Sequence, residues 1–135
     1  MADRHPEASS QFQWLLLKNW NSFYRKGLNN TRFSAEPGNL YNKHSYKYSG
    51  LANNNTVHIA QTADNGLQVS KARSKKTRNP KSSRESATTK KHHSKVSKSV
   101  GKVVRQTRPD LERAALARLG RVHQGLLASK ASKKT

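Results

Sequence analysis

The basic stretch from Lys71 to Lys102 constrains the fold of this chain more than any other part of its sequence. It contains twelve Lys or Arg in thirty-two residues, and Glu85 is its only acid. Four of its residues are Ala or Val, and none is aromatic. Ordering a backbone costs roughly 1–2 kcal/mol per residue, which so little apolar surface does not offset. We therefore expect an extended, self-repelling coil whose charge is neutralised by a polyanion such as nucleic acid.

The charge is distributed unevenly along the 135 residues. Of the formal net charge of +20, residues 1–68 carry +3 and residues 69–135 carry +17. All nine aromatic residues lie between Phe12 and Tyr48. This division predicts a nearly neutral folded head joined to a basic extension.

Several classes of function are disfavoured by what the sequence lacks. There is no cysteine, which excludes disulfides and thiolate metal sites. The longest apolar run, Trp14–Leu17, is too short for a membrane span or a signal peptide. The seven acids show no paired spacing, and no glycine-rich phosphate loop or nucleophile motif occurs. We expect a soluble intracellular protein that is not an enzyme and that uses no cofactor, no membrane and no small-molecule substrate.

The adjacent histidines His92 and His93 are the one feature that resembles a metal site. They have no third ligand nearby, and Lys91 and Lys95 oppose a bound cation. The sequence therefore predicts no metal, and protonated histidines near phosphate are the preferred interpretation.

A short helix is predicted at the start of the head, with Ser9 or Ser10 as its N-cap. One helical face carries four apolar residues at offsets of 0, 3, 4 and 8: Phe12, Leu15, Leu16 and Trp20. A strand is the competing interpretation, because Phe12, Trp14 and Leu16 also alternate. We favour a helix that ends near residues 19–21, with this face in the core and not serving as a base-stacking platform.

Antiparallel strands are predicted for the rest of the head. Short strands are expected at residues 23–25 and 32–34, and at 45–48, where Tyr46 and Tyr48 would share a face. Val57 and Ile59 alternate with polar residues, as Leu67 and Val69 do, and the Asn65–Gly66 pair between them is typical of a type I′ hairpin turn.

The basic half is predicted to begin as an arm and end in two helices. Four valines (96, 100, 103 and 104) form a narrow apolar stripe on a cationic helix. This helix is expected to form either in the isolated protein or only when the protein binds its partner. Pro109 and the acids that follow it start a second helix. Its apolar face carries Leu111, Ala115, Leu119, Val122 and Leu126.

The predicted fold class is therefore α+β: a small N-terminal head with a short helix and antiparallel strands, an extended basic arm and two C-terminal helices. The expected boundaries are a disordered N-terminus at 1–8, the head at 9–71 and the arm at 72–87. A basic helical extension follows at 88–129, broken near 106–109, with a basic tail at 130–135.

Nucleic-acid phosphates are the partner that this charge predicts, and the lack of aromatics in the basic half favours a folded RNA or DNA over single strands. The candidate contact residues are Lys71, Arg73, Lys75, Lys76, Arg78, Lys81, Arg84, Lys90, Lys91, Lys95, Lys98, Lys102, Arg105, Arg108, Arg113, Arg118 and Arg121. A linker-histone-like chromatin protein is one alternative, although such tails are usually rich in Lys, Ala and Pro.

The order and spacing of several motifs resemble the eukaryote-type large-subunit ribosomal protein of family twenty-eight. The resemblance covers roughly residues 11–71 and 107–129, and between them only the basic character is similar. The motifs are Gln13-Trp14, Asn21-Ser22-Phe23, the runs Phe33–Leu40 and Ser45–Asn53, Thr56-Val57, Ala63-Asp64, Arg108–Leu111 and Ala114–Leu119.

The resemblance implies a structural component of the cytosolic large ribosomal subunit. Its partners would be large-subunit ribosomal RNA and neighbouring ribosomal proteins, and it would pass through the nucleolus during assembly. A ribosome-assembly factor family shares the head fold and remains an alternative. That family usually carries cysteines in the head, and their lack here favours the ribosomal branch.

Overall fold

The computed structural model describes residues 8–72 and 83–132. Its helices are α1 (Ser10–Leu17), α2 (His93–Thr107) and α3 (Glu112–Ser132), and its strands are β1 (Tyr24–Lys26), β2 (Arg32–Ser34), β3 (Val57–Gln61), β4 (Leu67–Ala72) and β5 (Arg84–Thr89). Single 3₁₀ turns occupy Leu28–Asn30 and Pro109–Leu111. The predicted α+β class is confirmed. Most of the predicted disordered N-terminus, much of the arm and the end of the basic tail lie outside the described residues.

Strands β3, β4 and β5 form an antiparallel sheet in that order. Ile59 pairs with Val69, which in turn pairs with Ala87. Because cross-strand partners point to the same face, the apolar residues of β3 and β4 meet on one side of the sheet. The alternation that predicted the β3–β4 hairpin therefore also identified its buried face.

The turn of this hairpin differs from the predicted two-residue type I′ turn. The Thr62 N–H donates to Gly66 O at 2.9 Å, and the Asn65 N–H donates to Thr62 O at 3.0 Å. The loop therefore has three residues, and Asn65 adopts the left-handed conformation with φ 55°. This is the three-residue hairpin loop whose last residue forms a bulge in the left-handed conformation. Asparagine tolerates that backbone conformation.

Strand β5 begins in the predicted extended arm (72–87) and ends in the predicted helical extension (88–129). Arg84–Thr89 pairs with β4 along its whole length. Across this pairing Lys71 Nζ lies 3.5 Å from a carboxylate oxygen of Glu85. The single acid of the basic stretch therefore faces a lysine on the neighbouring strand, and opposite charges at such positions stabilise a sheet.

Helices α2 and α3 pack against the apolar face of this sheet. Val96, Val100 and Val104 are buried, as the valine stripe predicts. On α3 and the turn before it, Leu111, Ala115, Leu119 and Leu126 are buried, and Val122 packs against them. They form one hydrophobic core with Leu40, Val57, Ile59 and Leu67. Residues on both sides of position 71 therefore contribute to the same core.

The two helices are separated where proline was expected to interrupt them. Helix α2 ends at Thr107, Pro109 begins a 3₁₀ turn, and α3 starts at Glu112. Proline lacks an amide hydrogen and fixes φ, so it is tolerated at this first position and not inside a helix. Helix α3 continues to Ser132, beyond the predicted end near Ser129.

Helix α1 is shorter than predicted, and its buried face was assigned wrongly. The Phe12 N–H donates to Ser9 Oγ at 3.3 Å, which confirms Ser9 as the N-cap. The four predicted core residues are instead exposed: Phe12 by 54%, Leu15 by 57%, Leu16 by 59% and Trp20 by 86%. Trp14 faces the body of the protein, with its ring centroid 5.0 Å from that of His44.

The short strands of the head are only partly as predicted. Strands β1 and β2 form an antiparallel pair, with Tyr24 opposite Ser34. Residues 45–48 are a turn and not a strand, since the Ser49 N–H donates to Ser45 O at 3.0 Å. The Asn53 side-chain amide donates to both Tyr46 O and Ser49 O, which holds the chain in this curved path.

Candidate nucleic-acid interface

Twelve of the seventeen predicted contact residues lie in the described part of the chain: Lys71, Arg84, Lys90, Lys91, Lys95, Lys98, Lys102, Arg105, Arg108, Arg113, Arg118 and Arg121. The other five, Arg73, Lys75, Lys76, Arg78 and Lys81, lie outside it. The twelve are not equivalent, because some have partners within the protein and others are exposed to solvent.

Three lysines of α2 form an exposed ridge, which we call the lysine ridge: Lys95, Lys98 and Lys102. Their spacing of three and four places them on one side of the helix, opposite the buried valines. At 1.5 Å per residue the ridge is about 10 Å long. Because the valine stripe is buried in the shared core, the backbone positions of the three lysines are fixed relative to the rest of the protein.

A groove of about 390 Å³ lies between α2 and the sheet, on one side of the lysine ridge. Val69, Ala87, Val96 and Val100 supply apolar surface in it. Lys71, Lys91 and Lys95 line it as well, and Glu85 neutralises Lys71. This groove is therefore apolar inside and cationic toward α2.

A second groove, of about 700 Å³, lies between α2 and α3 and includes Lys98, Lys102 and Arg105. Arg105 is paired within the protein, since its Nε and Nη2 both lie 2.7 Å from Glu112 Oε1. The hydrogen bond from Arg105 holds the pKa of Glu112 below its usual value and raises the pKa of Arg105. Lys98 and Lys102 form no salt bridge with a carboxylate of the described residues.

Arg108 makes several contacts within the protein, and its contact with RNA stays a prediction. Its guanidinium donates to both carboxylate oxygens of Asp110, at 3.0 and 2.8 Å, and to Lys47 O at 3.1 Å. Its side chain is only 17% exposed, and its hydrogen bond lowers the pKa of the Asp110 carboxyl. Arg108 therefore ties the connection between α2 and α3 to the head loop.

The remaining cations lie around these helices. Lys90, Lys91, Arg113 and Arg121 are exposed, whereas Arg84 and Arg118 are half-buried.

Burial, and then the charges of Arg84 and Arg118, lower the pKa of His58. The Gly38 N–H donates to His58 Nδ1 at 3.2 Å, which requires that this nitrogen carries no proton.

The histidines that resembled a metal site have other roles. His92 is the N-cap of α2, and its Nδ1 accepts from the Ser94 N–H at 3.4 Å. The His93 ring centroid lies 4.9 Å from that of His123 on α3. Within residues 8–72 and 83–132, no three His, Asp or Glu side chains converge in a way that would hold a metal ion. None of the helices described there is long and apolar enough to cross a membrane.

A basic surface in the head was missed by the sequence reasoning. Lys18, Arg25, Lys26 and Arg32 are exposed around the β1–β2 hairpin. No acid occurs from Ala8 to Ala35, and this was the signal that could have revealed the surface. The net charge of residues 1–68 concealed it, because it also counts acids at positions 3, 7, 36 and 64.

Comparison with known proteins agrees with the resemblance noted in the sequence. A family model described as the Ribosomal L28e protein family matches residues 12–125. The Large ribosomal subunit protein eL28 of Dictyostelium discoideum is 39% identical over 124 residues, which cover 90% of this chain and 92% of that relative. The family match covers all five strands, α2 and the greater part of α1 and α3. The chain therefore belongs to the ribosomal L28e protein family.

Proposed function

We propose that this protein is a structural constituent of the cytosolic large ribosomal subunit and that it stabilises folded ribosomal RNA through phosphate contacts. Its family membership and the name of its Dictyostelium relative support the ribosomal assignment. It acts by binding and not by catalysis, and its further partners are neighbouring ribosomal proteins. It passes through the nucleolus while the subunit is assembled.

The lysine ridge is the observation that carries the RNA-binding part of this proposal. Lys95, Lys98 and Lys102 are exposed on one side of α2, and the described residues offer them no carboxylate partner. An ammonium group without a carboxylate partner gains most from a new anion. Double-stranded DNA carries about one negative charge per 1.7 Å of axis when both strands are counted, so a duplex of similar charge density has roughly six phosphates, about three per strand, along the 10 Å of the ridge.

The packing of α2 explains why a folded RNA is the favoured ligand. Because the valine stripe buries one side of the helix, the backbone positions of the three lysines keep a fixed spacing, which suits a ligand whose phosphates are also held in place. Such contacts set the position and orientation of the protein and read no sequence. The cations at 73, 75, 76, 78 and 81 precede α2 in the sequence and lie outside the described residues. We propose that they contact RNA as well.

Sedimentation of the endogenous protein tests the assignment. We expect it in large subunits and polysomes, with retention at moderate salt, and release by ribonuclease but not by deoxyribonuclease. Release by deoxyribonuclease alone would indicate a chromatin protein. Presence on nucleolar precursors together with absence from polysomes would indicate an assembly factor. Either result would overturn the proposal.

A further inference from the structure

The β1–β2 hairpin and the segment before it expose both aromatic and cationic side chains. Trp20 is 86% exposed and Phe33 is 45% exposed. The neighbouring cations Lys18, Arg25 and Arg32 are exposed as well. A single exposed apolar residue is ordinary, but exposed large aromatics with cations close to them in the chain mark interaction surfaces.

The charge of this surface selects the kind of partner. Residues 8–35 contain four cations and no acid. Of the two acids that flank this segment, Glu7 lies outside the described residues, and Glu36 is buried, with a carboxylate that accepts hydrogen bonds from Asn39 and Ser49. Because no described carboxylate in this segment offsets the cations, a polyanion complements the surface better than an ordinary protein surface of mixed charge does.

The hairpin holds one aromatic and one cationic group on the same side. Arg25 and Phe33 are cross-strand partners, so their side chains leave the same face. Arg25 Nη1 donates to Ser22 O at 2.9 Å and to Tyr24 O at 3.0 Å, which restrains the guanidinium. The Phe33 ring lies over Gly27, where a β-carbon would come within 2.7 Å of Phe33 Cε2. Both groups are therefore presented in restrained positions.

We propose that unpaired nucleotides of RNA stack on Trp20 and Phe33, while Lys18 and Arg25 contact the adjacent phosphates. Unpaired bases offer free faces to aromatic rings, whereas the bases of a duplex are already stacked on one another. The inference rests on the proposed function and deepens it, because it adds base contacts at the head to phosphate contacts at the helices. The outer face of α1 carries Phe12, Leu15 and Leu16 without a cation, so it is not included.

The test compares two full-length variants that differ in one property. Trp20→Ala removes an exposed aromatic ring, and Leu28→Ala removes an equally exposed aliphatic side chain, since Leu28 is 88% exposed. Neither residue is buried, so both variants should fold as the parent does. The probes are a single-stranded RNA of about 12 nucleotides and a duplex with the same number of phosphates.

Trp20→Ala should weaken binding of the single strand about tenfold and leave binding of the duplex unchanged. Leu28→Ala should change neither affinity, and Trp20→Phe, which keeps an aromatic ring, should restore most of the loss. Fluorescence of a Trp14→Phe variant, whose only indole is Trp20, should be quenched by the single strand.

Equal affinities of Trp20→Ala and the parent for the single strand would overturn the inference and leave the proposed function intact if the duplex still binds. An equal loss for both probes would overturn it too, because stacking on unpaired bases would not weaken duplex binding. Reduced association of Trp20→Ala with large subunits, without any loss of RNA affinity, would identify a protein-binding surface instead. A parent protein that binds neither probe would remove the proposed function and the inference together.

Discussion

Replacing Lys95, Lys98 and Lys102 together by glutamine should weaken binding to folded ribosomal RNA in a strongly salt-dependent way. All three side chains are exposed on α2 and form no salt bridge within the described residues. Each is free to contact one phosphate and to release about 0.9 counterion when it does. The slope of log K against log salt should therefore become less steep by about 2.7.

The expected loss of affinity follows from this slope. If the contribution of the three lysines vanishes near 1 M salt, affinity should fall on the order of 10²-fold at 0.15 M salt and about 3 × 10³-fold at 0.05 M. Glutamine is a good helix former, and the valines that anchor α2 lie on its opposite side, so the melting temperature should change little.

Filter binding or fluorescence anisotropy between 0.05 and 0.5 M salt measures this slope, with a folded fragment of large-subunit ribosomal RNA as the ligand. The matched control replaces the same three residues by arginine, which keeps the charge and should keep the parent slope. An identical salt slope for the glutamine variant and the parent would show that the lysine ridge does not contact phosphates.

Three further predictions concern the scaffold that presents the cations. Leu119→Ala should lower the free energy of unfolding by about 2–5 kcal/mol in urea denaturation, because Leu119 is fully buried in the core shared by the sheet and the helices; unchanged stability would contradict that shared core. Gly50→Ala should destabilise the protein by roughly 1–3 kcal/mol, since a β-carbon there would overlap the Pro37 carbonyl, and thermal melting measures this loss. Burial holds the pKa of His58 below 6.5, so around that pH the unfolded chain binds more protons than the folded protein. The free energy of unfolding should therefore fall as the pH drops through 6.5 and below. His58→Asn, which keeps an acceptor for the Gly38 N–H, should reduce this dependence of the unfolding free energy on pH.

The sequence predicted correctly those elements in which the apolar residues recur at regular spacing because they all lie on one buried face. The alternation at Val57 and Ile59 marks β3, and the valine spacing marks α2, because each pattern reports both the kind of element and its buried side. Helix α1 shows the limit of this reasoning. Its apolar spacing located a helix, but a spacing alone does not tell which face meets the body. In this helix Trp14 and Leu17 are partly buried, whereas Phe12, Leu15 and Leu16 are exposed.

Strand β5 and the ion pairs could not be predicted locally. Residues 84–89 have no apolar alternation, and their strand conformation comes from pairing with β4. The partner of Arg105 is Glu112, on the other side of the helix break, and Arg108 reaches the carbonyl of Lys47 in the head. Composition therefore identified the cations of the candidate interface, while the fold determined which of them are left for a ligand.

The shared core also has a consequence for biosynthesis. Val57, Ile59 and Leu67 are covered by Leu119 and Leu126, which are translated more than fifty residues later. Until the C-terminal helix has left the exit tunnel, the emerging chain lacks the part of this core that α3 supplies. Premature termination near residue 105 would leave that part of the sheet face uncovered permanently, so such a fragment should be captured by chaperones or degraded even though its aromatic residues and most of its cations are present.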